Sequence, residues 1–422
     1  MNMRKMKDSG IEWIGSIPAN WEVHPVYFYF TERKNKNIFG AEQNLLSLSY
    51  GKVIRKNINT VGGLLPESFN TYNIIEANDI VIRPTDLQND KRSLRTGLCK
   101  EHGIITSAYI ALKPISGFNV SYVHYLLHTY DIMKVFYNMG NGVRQGLNYS
   151  EFSKLMIFIP PIAEQNAIAK YLDNECSEVD ALVSDIQHQI EVLEEYKRSV
   201  ITEAVTNGLD PDVEMRDSGI AWVGDIPAHW ITHPLYFYFG VRKNKNALGL
   251  GTNLLSLSYG KIIRKDINSN GGLLPESFNT YNIIEKDDII IRPTDLQNDK
   301  RSLRTGIARE HGIITSAYIA MKAIKSVNPE YFHYLLHAYD VMKVFYNMGN
   351  GVRQGLNFSE FSRLMVFEPT IEEQNAIVEY LKEKCDEIDL AIAEKKQQIE
   401  TIEEYKKSLI FEYVTGKKEV QA

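Results

Sequence analysis

The sequence predicts an α+β protein of two tandem globules separated by two long helices, which pair as an antiparallel coiled coil with pseudo-two-fold symmetry. Three observations predict it. First, the 422-residue chain is a duplication: DSGIEWIGSIPANW around Trp13 returns as DSGIAWVGDIPAHW around Trp222, and the offset of 209 residues then holds without a gap. So long a period marks two complete domains rather than solenoid units. Second, each copy opens with short β-branched and aromatic runs punctuated by Gly, Asn and Pro. Third, each copy closes on roughly 40 residues of apolar three-four periodicity, about 60 Å of helix at 1.5 Å per residue.

Taken in order, residues 1–160 and 209–369 read as the globules, 161–208 and 370–414 as the long helices, and 415–422 as a tail. Strand-like runs in the first globule are Asn73–Ile82, Gly103–Leu112 and Leu155–Ile159. Val120–Met139 is amphipathic at helical spacing and ends at the glycine-rich GNGVRQG. After Pro160-Pro161 the predicted seam runs through Leu172, Val179, Leu182, Ile186, Leu193, Tyr196 and Val200, with Glu175 and Gln189 as polar members. In the second copy it runs through Leu381, Ile388, Ala391, Ile402, Tyr405 and Leu409, with Lys384, Lys395 and Gln398 polar. Such a stripe needs a partner, and its own duplicate is at hand.

Composition narrows the class. At 44% hydrophobic and 24% charged residues the chain is globular, with no apolar run long enough for a membrane span, so a cytoplasmic protein is expected. Cys99, Cys176 and Cys385 lack ligand spacing and read as reduced thiols. The net charge of −6 divides unevenly: residues 162–206 carry −7 and 371–412 carry −6, leaving +7 on the remainder. A basic globular part on an acidic scaffold is the layout expected when only some modules face phosphate. Like helices packed antiparallel would present their globules about a two-fold, matching the two-folds of B-DNA and hence inverted half-sites.

The DSGIEWIGSIP…W openings, the PPIAEQNAIAKYL and TIEEQNAIVEYL helix starts, and the globule-helix-globule-helix order resemble the specificity subunits of type I restriction-modification systems. The likeness spans essentially the whole chain. It implies that each globule is a target recognition domain reading half of a bipartite double-stranded DNA site. It also implies that the helices space the halves and dock two methyltransferase subunits, with restriction (endonuclease) subunits joining through the complex. Methylation and cleavage would belong to those partners, so this subunit is expected to be non-catalytic, with no cofactor and no metal.

RPTDLQNDKRSLRTG, from Arg83 and again from Arg292, is the first candidate contact segment. Arg83, Lys91, Arg92 and Arg95 supply donors for phosphate or guanine, while Gln88 and Asn89 suit adenine; the copies are Arg292, Lys300, Arg301, Arg304, Gln297 and Asn298. A solvated turn in which Asp86 and Asp90 neutralise the bases is the plainer alternative. GNGVRQGLN offers Arg144 and Gln145, with copies Arg353 and Gln354, or else a simple helix cap and turn. Tyr50, Lys52, Arg55 and Lys56, with Tyr259, Lys261, Arg264 and Lys265, form a third basic-aromatic stretch that reads equally well as an exposed strand-turn.

Other motifs read as packing or fail between copies. His124/His128 and His333/His337 share a helical face, but Tyr125 stands where a zinc-protease helix needs its Glu. The YFYF runs at Tyr27–Phe30 and Tyr236–Phe239 suit a core better than base stacking. Ile159-Pro160-Pro161-Ile162 lacks the polar residue and aromatic of an amino-methyltransferase motif, and no glycine-rich cofactor loop follows a strand. Glu32-Arg33-Lys34 loses its acid to Val241 in the copy. The competing expectation is a structural adaptor whose coiled coil binds protein without DNA reading. Because the contact segments are identical between copies, DNA reading predicts an interrupted palindrome. Asn57 against Asp266, Thr60-Val61 against Ser269-Asn270, and Cys99 against Ala308 are differences that could break that symmetry.

Overall fold

A computed structural model of the chain describes residues 4–58, 66, 68–85, 87, 94–137, 139, 146–220, 222–267, 275, 277–294, 296, 303–346, 348 and 355–420. It forms two compact units that do not follow the sequence blocks. One comprises Met1–Ile186 with Lys396–Ala422, the other Gln187–Lys395. Each unit therefore holds one globule, the first half of the helix that follows it, and the last half of the other long helix.

The first unit is built on a four-stranded antiparallel sheet in the spatial order Phe30–Glu32, Ile110–Pro114, Ile80–Ile82, Thr96–Leu98. The run Asn73–Ile82 is thus two strands, Asn73–Ile75 and Ile80–Ile82, and Gly103–Leu112 likewise divides. Strand alternation sorts the core: Ile80 and Ile82 join the main cluster with Trp21, Phe30 and Tyr122, while Val81 joins a smaller one with Leu46, Leu48, Cys99 and Ile105. Cys99 is in that small core, as is Ala308 in the copy, so this difference between the copies is a packing difference. All three cysteines are buried and free.

Helix α1, Val120–Ile132, is capped by Asn119 and packs on the strand Thr96–Leu98. It stops well before Met139, because Lys134 adopts φ 58° and turns the chain back. Helix α2, Tyr149–Phe152, starts with a capping box between Asn148 and Glu151. Helix α3, Ile162–Asn207, is the first long helix. The second copy repeats these elements as α4, Pro329–Val341, α5, Phe358–Phe361, and α6, Ile371–Val414.

Within each unit the two long-helix segments run antiparallel. In the first, Tyr171 meets Tyr413 at 4.5 Å between ring centroids and Asp180 meets Lys406 at 2.6 Å, so numbers rise on α3 as they fall on α6. In the second, Lys395 meets Gln189 and Lys197 meets Asp389, both at 2.6 Å. The seam differs from the expected one in alternate members. Leu172, Val179, Ile186 and Val200 are buried as expected, but Leu182 and Tyr196 are 49% and 54% exposed while Cys176, Ile190 and Ala204 are buried. The intervening seam position lies one residue later than predicted. In α6, Cys385 and Ile392 are likewise buried and Tyr405 exposed. The long stem of Lys197, half-buried, occupies such a position and reaches Asp389, as Lys406 reaches Asp180.

The helix ends complete the cores. Leu409, Ile410 and Val414 of α6 pack into the cluster of the first globule, and Val200, Ile201, Ala204 and Val205 of α3 into that of the second. At about 1.5–3 kcal/mol per buried side chain, three such residues contribute on the order of 5 kcal/mol. Tyr122 hydroxyl donates to the carbonyl of Val414 at 3.0 Å, a helix-end oxygen left without an intrahelical partner.

Candidate nucleic-acid interface

The first contact segment is the loop between paired strands Ile80–Ile82 and Thr96–Leu98. Its neck is closed by Arg83 N–H donating to the Arg95 carbonyl at 2.8 Å, and Leu87 is fully buried, pinning the loop to the core. Arg83 and Arg292 are half-exposed at the loop start. Gln88, Asn89, Lys91 and Arg92, and the copies Gln297, Asn298, Lys300 and Arg301, lie outside the described residues, as do Arg144, Gln145, Arg353 and Gln354. Thr60-Val61 and Ser269-Asn270 lie outside them too.

Arg95 and Arg304 require a correction. Both are 0% exposed, so neither guanidinium is presented to DNA. Arg95 instead donates from its guanidinium to the Thr85 carbonyl and, at 3.3 Å, to the Tyr137 hydroxyl. One residue before a core strand, it points inward where sequence spacing made it the last cation of a polar loop. Its backbone N–H and that of Thr96 donate to the buried Asp131 carboxylate, to which Tyr137 hydroxyl also donates at 2.9 Å. Burial pushes the Asp131 carboxyl up from the usual range, and these hydrogen bonds work against that rise.

The second segment shares this base. Tyr137 lies three residues before its first glycine, and just after it Leu147 N–H donates to the Pro84 carbonyl at 3.0 Å. Residues on either side of GNGVRQG, Tyr137 and Leu147, are therefore bonded to Arg95 and Pro84 near the ends of the RPTDLQNDKRSLRTG loop. The second copy repeats the arrangement: Arg304 with Thr294, Tyr346 with Asp340 at 2.9 Å, and Leu356 with Pro293 at 3.0 Å.

The third stretch is a hairpin, Leu46–Ser49 with Lys52–Arg55, turning at Tyr50 and Gly51 with φ 45° and 78°, the left-handed pair of a tight hairpin turn. Tyr50 is 78% exposed at the tip. Lys52 lies 3.2 Å from Asp180 of α3, and Arg55 is paired with Glu101, so in the free chain both charges face acids. Arg264 is paired with Glu310 in the same way, while Lys261 is exposed. Burial resists ionisation of Asp180, but hydrogen bonds and attraction from Lys406 and Lys52 outweigh it and leave its carboxyl below the usual range.

The YFYF run divides: Phe30 is core, whereas Tyr27 and Phe28 are exposed, Phe28 stacking on His24 with centroids 4.5 Å apart. The motif residues that sequence reasoning left without a role are Glu164 and Gln165 of EQNAI. Glu164 accepts from Trp21 Nε1 at 3.0 Å and pairs with Arg4. Gln165 accepts from Asn119 N–H and donates to the Pro160 carbonyl, both at 2.8 Å. The opening and helix-start motifs thus meet and fasten globule to helix, a link whose signal was their recurrence together in both copies. Among the described residues no group of three or more His, Cys, Asp or Glu could hold a metal ion, and no helix is long and apolar enough to cross a membrane.

The family of type I restriction modification DNA specificity domains matches residues 99–192. The chain is 24% identical over 425 residues to a putative type I restriction enzyme MjaX specificity subunit from Methanocaldococcus jannaschii, covering 96% of this chain and 95% of that protein. It is 26% identical over 281 residues to the type I restriction enzyme MjaVIII specificity subunit of the same organism, covering 63% of each. A chain from a solved type I R-M system, described for its complex assembly and conformational transition, has the same fold. Its TM-score is 0.64 at 12% identity, over 95% of this chain and 99% of that one. A duplicated α+β globule with antiparallel long-helix segments is the fold shared with that chain. Over nearly its whole length the chain is similar to the specificity subunits of type I restriction-modification systems.

Proposed function

We propose that the chain selects the DNA target of a type I restriction-modification complex without itself carrying out catalysis, each globule reading one half-site through the RPTDLQNDKRSLRTG and GNGVRQG segments. The observation that carries this reading is the shared base of the two segments: Arg95 and Tyr137 on one side, Pro84 and Leu147 on the other. Two polar segments, rich in planar donors and flanked by residues that share one base, suit the edges of adjacent base pairs. Lys52, Arg55, Lys261 and Arg264 support the reading as peripheral phosphate contacts, since exposed ion pairs are worth at most about 1 kcal/mol and exchange readily for phosphate.

The long helices would set the distance between half-sites and offer docking surface to two methyltransferase subunits, with restriction subunits joining through the complex. Identical segments in both copies imply one half-sequence written twice, an interrupted palindrome. Mapping methylated adenines over a genome or plasmid library, with this chain and its methyltransferase partner present, tests both points. A site with two related inverted halves is expected; unrelated halves refute the palindrome, and methylation without sequence preference refutes DNA selection.

A further inference from the structure

We infer that the buried trio Arg95, Asp131 and Tyr137, with its copy Arg304, Asp340 and Tyr346, acts as a set of positioning residues that determines how stringently each globule reads its half-site. The inference rests on the proposal that the adjoining segments contact DNA, and goes beyond it by assigning specificity to side chains that touch no base.

Tyr137 hydroxyl is the centre of the arrangement. It donates to Asp131 at 2.9 Å and accepts from Arg95 Nε at 3.3 Å and from Lys134 Nζ at 2.9 Å, so its one proton and both lone pairs are used. Lys134 also lies 4.2 Å from the Tyr137 ring centroid, and its left-handed backbone is what brings Tyr137 back to Asp131. Asp131 in turn fixes the exit of the first segment through two backbone N–H groups, and Arg95 ties that exit to the entrance at Thr85. One hydroxyl therefore connects the exit of one contact segment to the chain three residues ahead of the other.

A buried polar network confers rigidity only when each member is satisfied. Recognition through paired hydrogen bonds requires their donors to be held in place, and a displaced base contact forfeits about tenfold or more in discrimination. The copy repeats the hydroxyl's bonds to acid and lysine, with Tyr346 2.9 Å from Asp340 and 3.0 Å from Lys343, while the Arg304 guanidinium meets the Thr294 carbonyl and lies 5.8 Å from the Tyr346 ring centroid.

The test uses the full chain with its methyltransferase partner and a plasmid library holding the intact target, targets substituted in one half, and targets substituted in both. Tyr137→Phe alone should raise methylation of one-half-substituted sites about tenfold relative to the intact target, while sites substituted in both halves stay refused. Tyr137→Phe with Tyr346→Phe should admit the latter as well. Unchanged discrimination overturns the inference. So does a loss of methylation that falls on intact and substituted sites alike, the mark of a merely structural role, and Asp131→Asn checks the same outcome without altering side-chain volume. Gln88→Ala with Asn89→Ala separates the two levels. If this variant leaves selection unchanged, the contact segment itself is misassigned; if it alters selection while the neck variants do not, only the positioning role fails.

Discussion

Acidification should unfold this protein through its paired helix histidines. His124 and His128 on α1 have ring centroids 6.1 Å apart, and His124 Nε2 and His128 Nδ1 are sealed from solvent with no hydrogen-bond partner. Burial is the main cause that lowers His124 to about 3, helped by repulsion from His128 and Lys100. Burial likewise lowers His128 to about 4, helped by Lys406 and Lys407. His333 and His337 are lowered to about 3 and about 4, again first by burial, with charges on Arg309, Lys197, Arg198 and Lys343 adding to it.

A histidine lowered in the folded state takes up its proton more readily when unfolded, so stability is whole above 6.5 and drains as pH falls from there toward 4 and 3. At about 1.4 kcal/mol per pH unit over the roughly 1.5 units between 6.5 and 5, each imidazole costs up to about 2 kcal/mol at pH 5. Two per globule make up to about 4 kcal/mol, a large part of an ordinary domain's stability. Urea titrations at pH 7.5 and 5.0, followed by tryptophan fluorescence, measure the loss. His128→Leu with His337→Leu should remove about half of it, since leucine has no proton to take up. An identical pH dependence in wild type and variant would refute the reasoning, whatever the carboxylates contribute to both.

Three further outcomes follow from packing. Ile190→Ala should destabilise the second unit by about 2–4 kcal/mol while Leu182→Ala stays within about 0.5 kcal/mol, because only the former lies in the seam; equal losses in chemical denaturation would restore the seam read from sequence. Tyr122→Phe should cost about 1 kcal/mol by orphaning the Val414 carbonyl, with amide exchange accelerating first in the last turn of α6. Glu164→Ala leaves the Trp21 indole N–H and Arg4 without their shared acceptor and should lower the thermal midpoint, an effect absent from the exposed Glu178→Ala.

Much of this protein was legible along the chain. The duplication at an offset of 209 residues requires no folding to be seen, and strand and helix periods located the sheet runs, α1 and both long helices. The antiparallel helix pairing also followed from the need of two like stripes for partners. What stayed hidden depended on which of two equivalent one-dimensional patterns packs. Residues at positions 172, 179, 186, 193 and 200 leave two seams open, differing by one residue at every intervening member. Leu182 and Tyr196 favour one by composition, whereas the buried Ile190 and the reach of Lys197 to Asp389 belong to the other.

The same limit applies to Arg95. A local pattern can identify a cation-rich loop, but only long-range partners, Asp131 and Tyr137, decide which cation turns inward. The sequence by itself determined the repeat, the element types and the class of protein, because these rest on local periodicity and recurring motifs. The tertiary structure alone decided that each long helix lends its end to the other's globule and that residues flanking the two candidate segments share one buried base. Both depend on contacts between residues far apart in the chain, Tyr122 with Val414 and Tyr137 with Arg95, and burial free energy acts on such contacts without leaving a period to read.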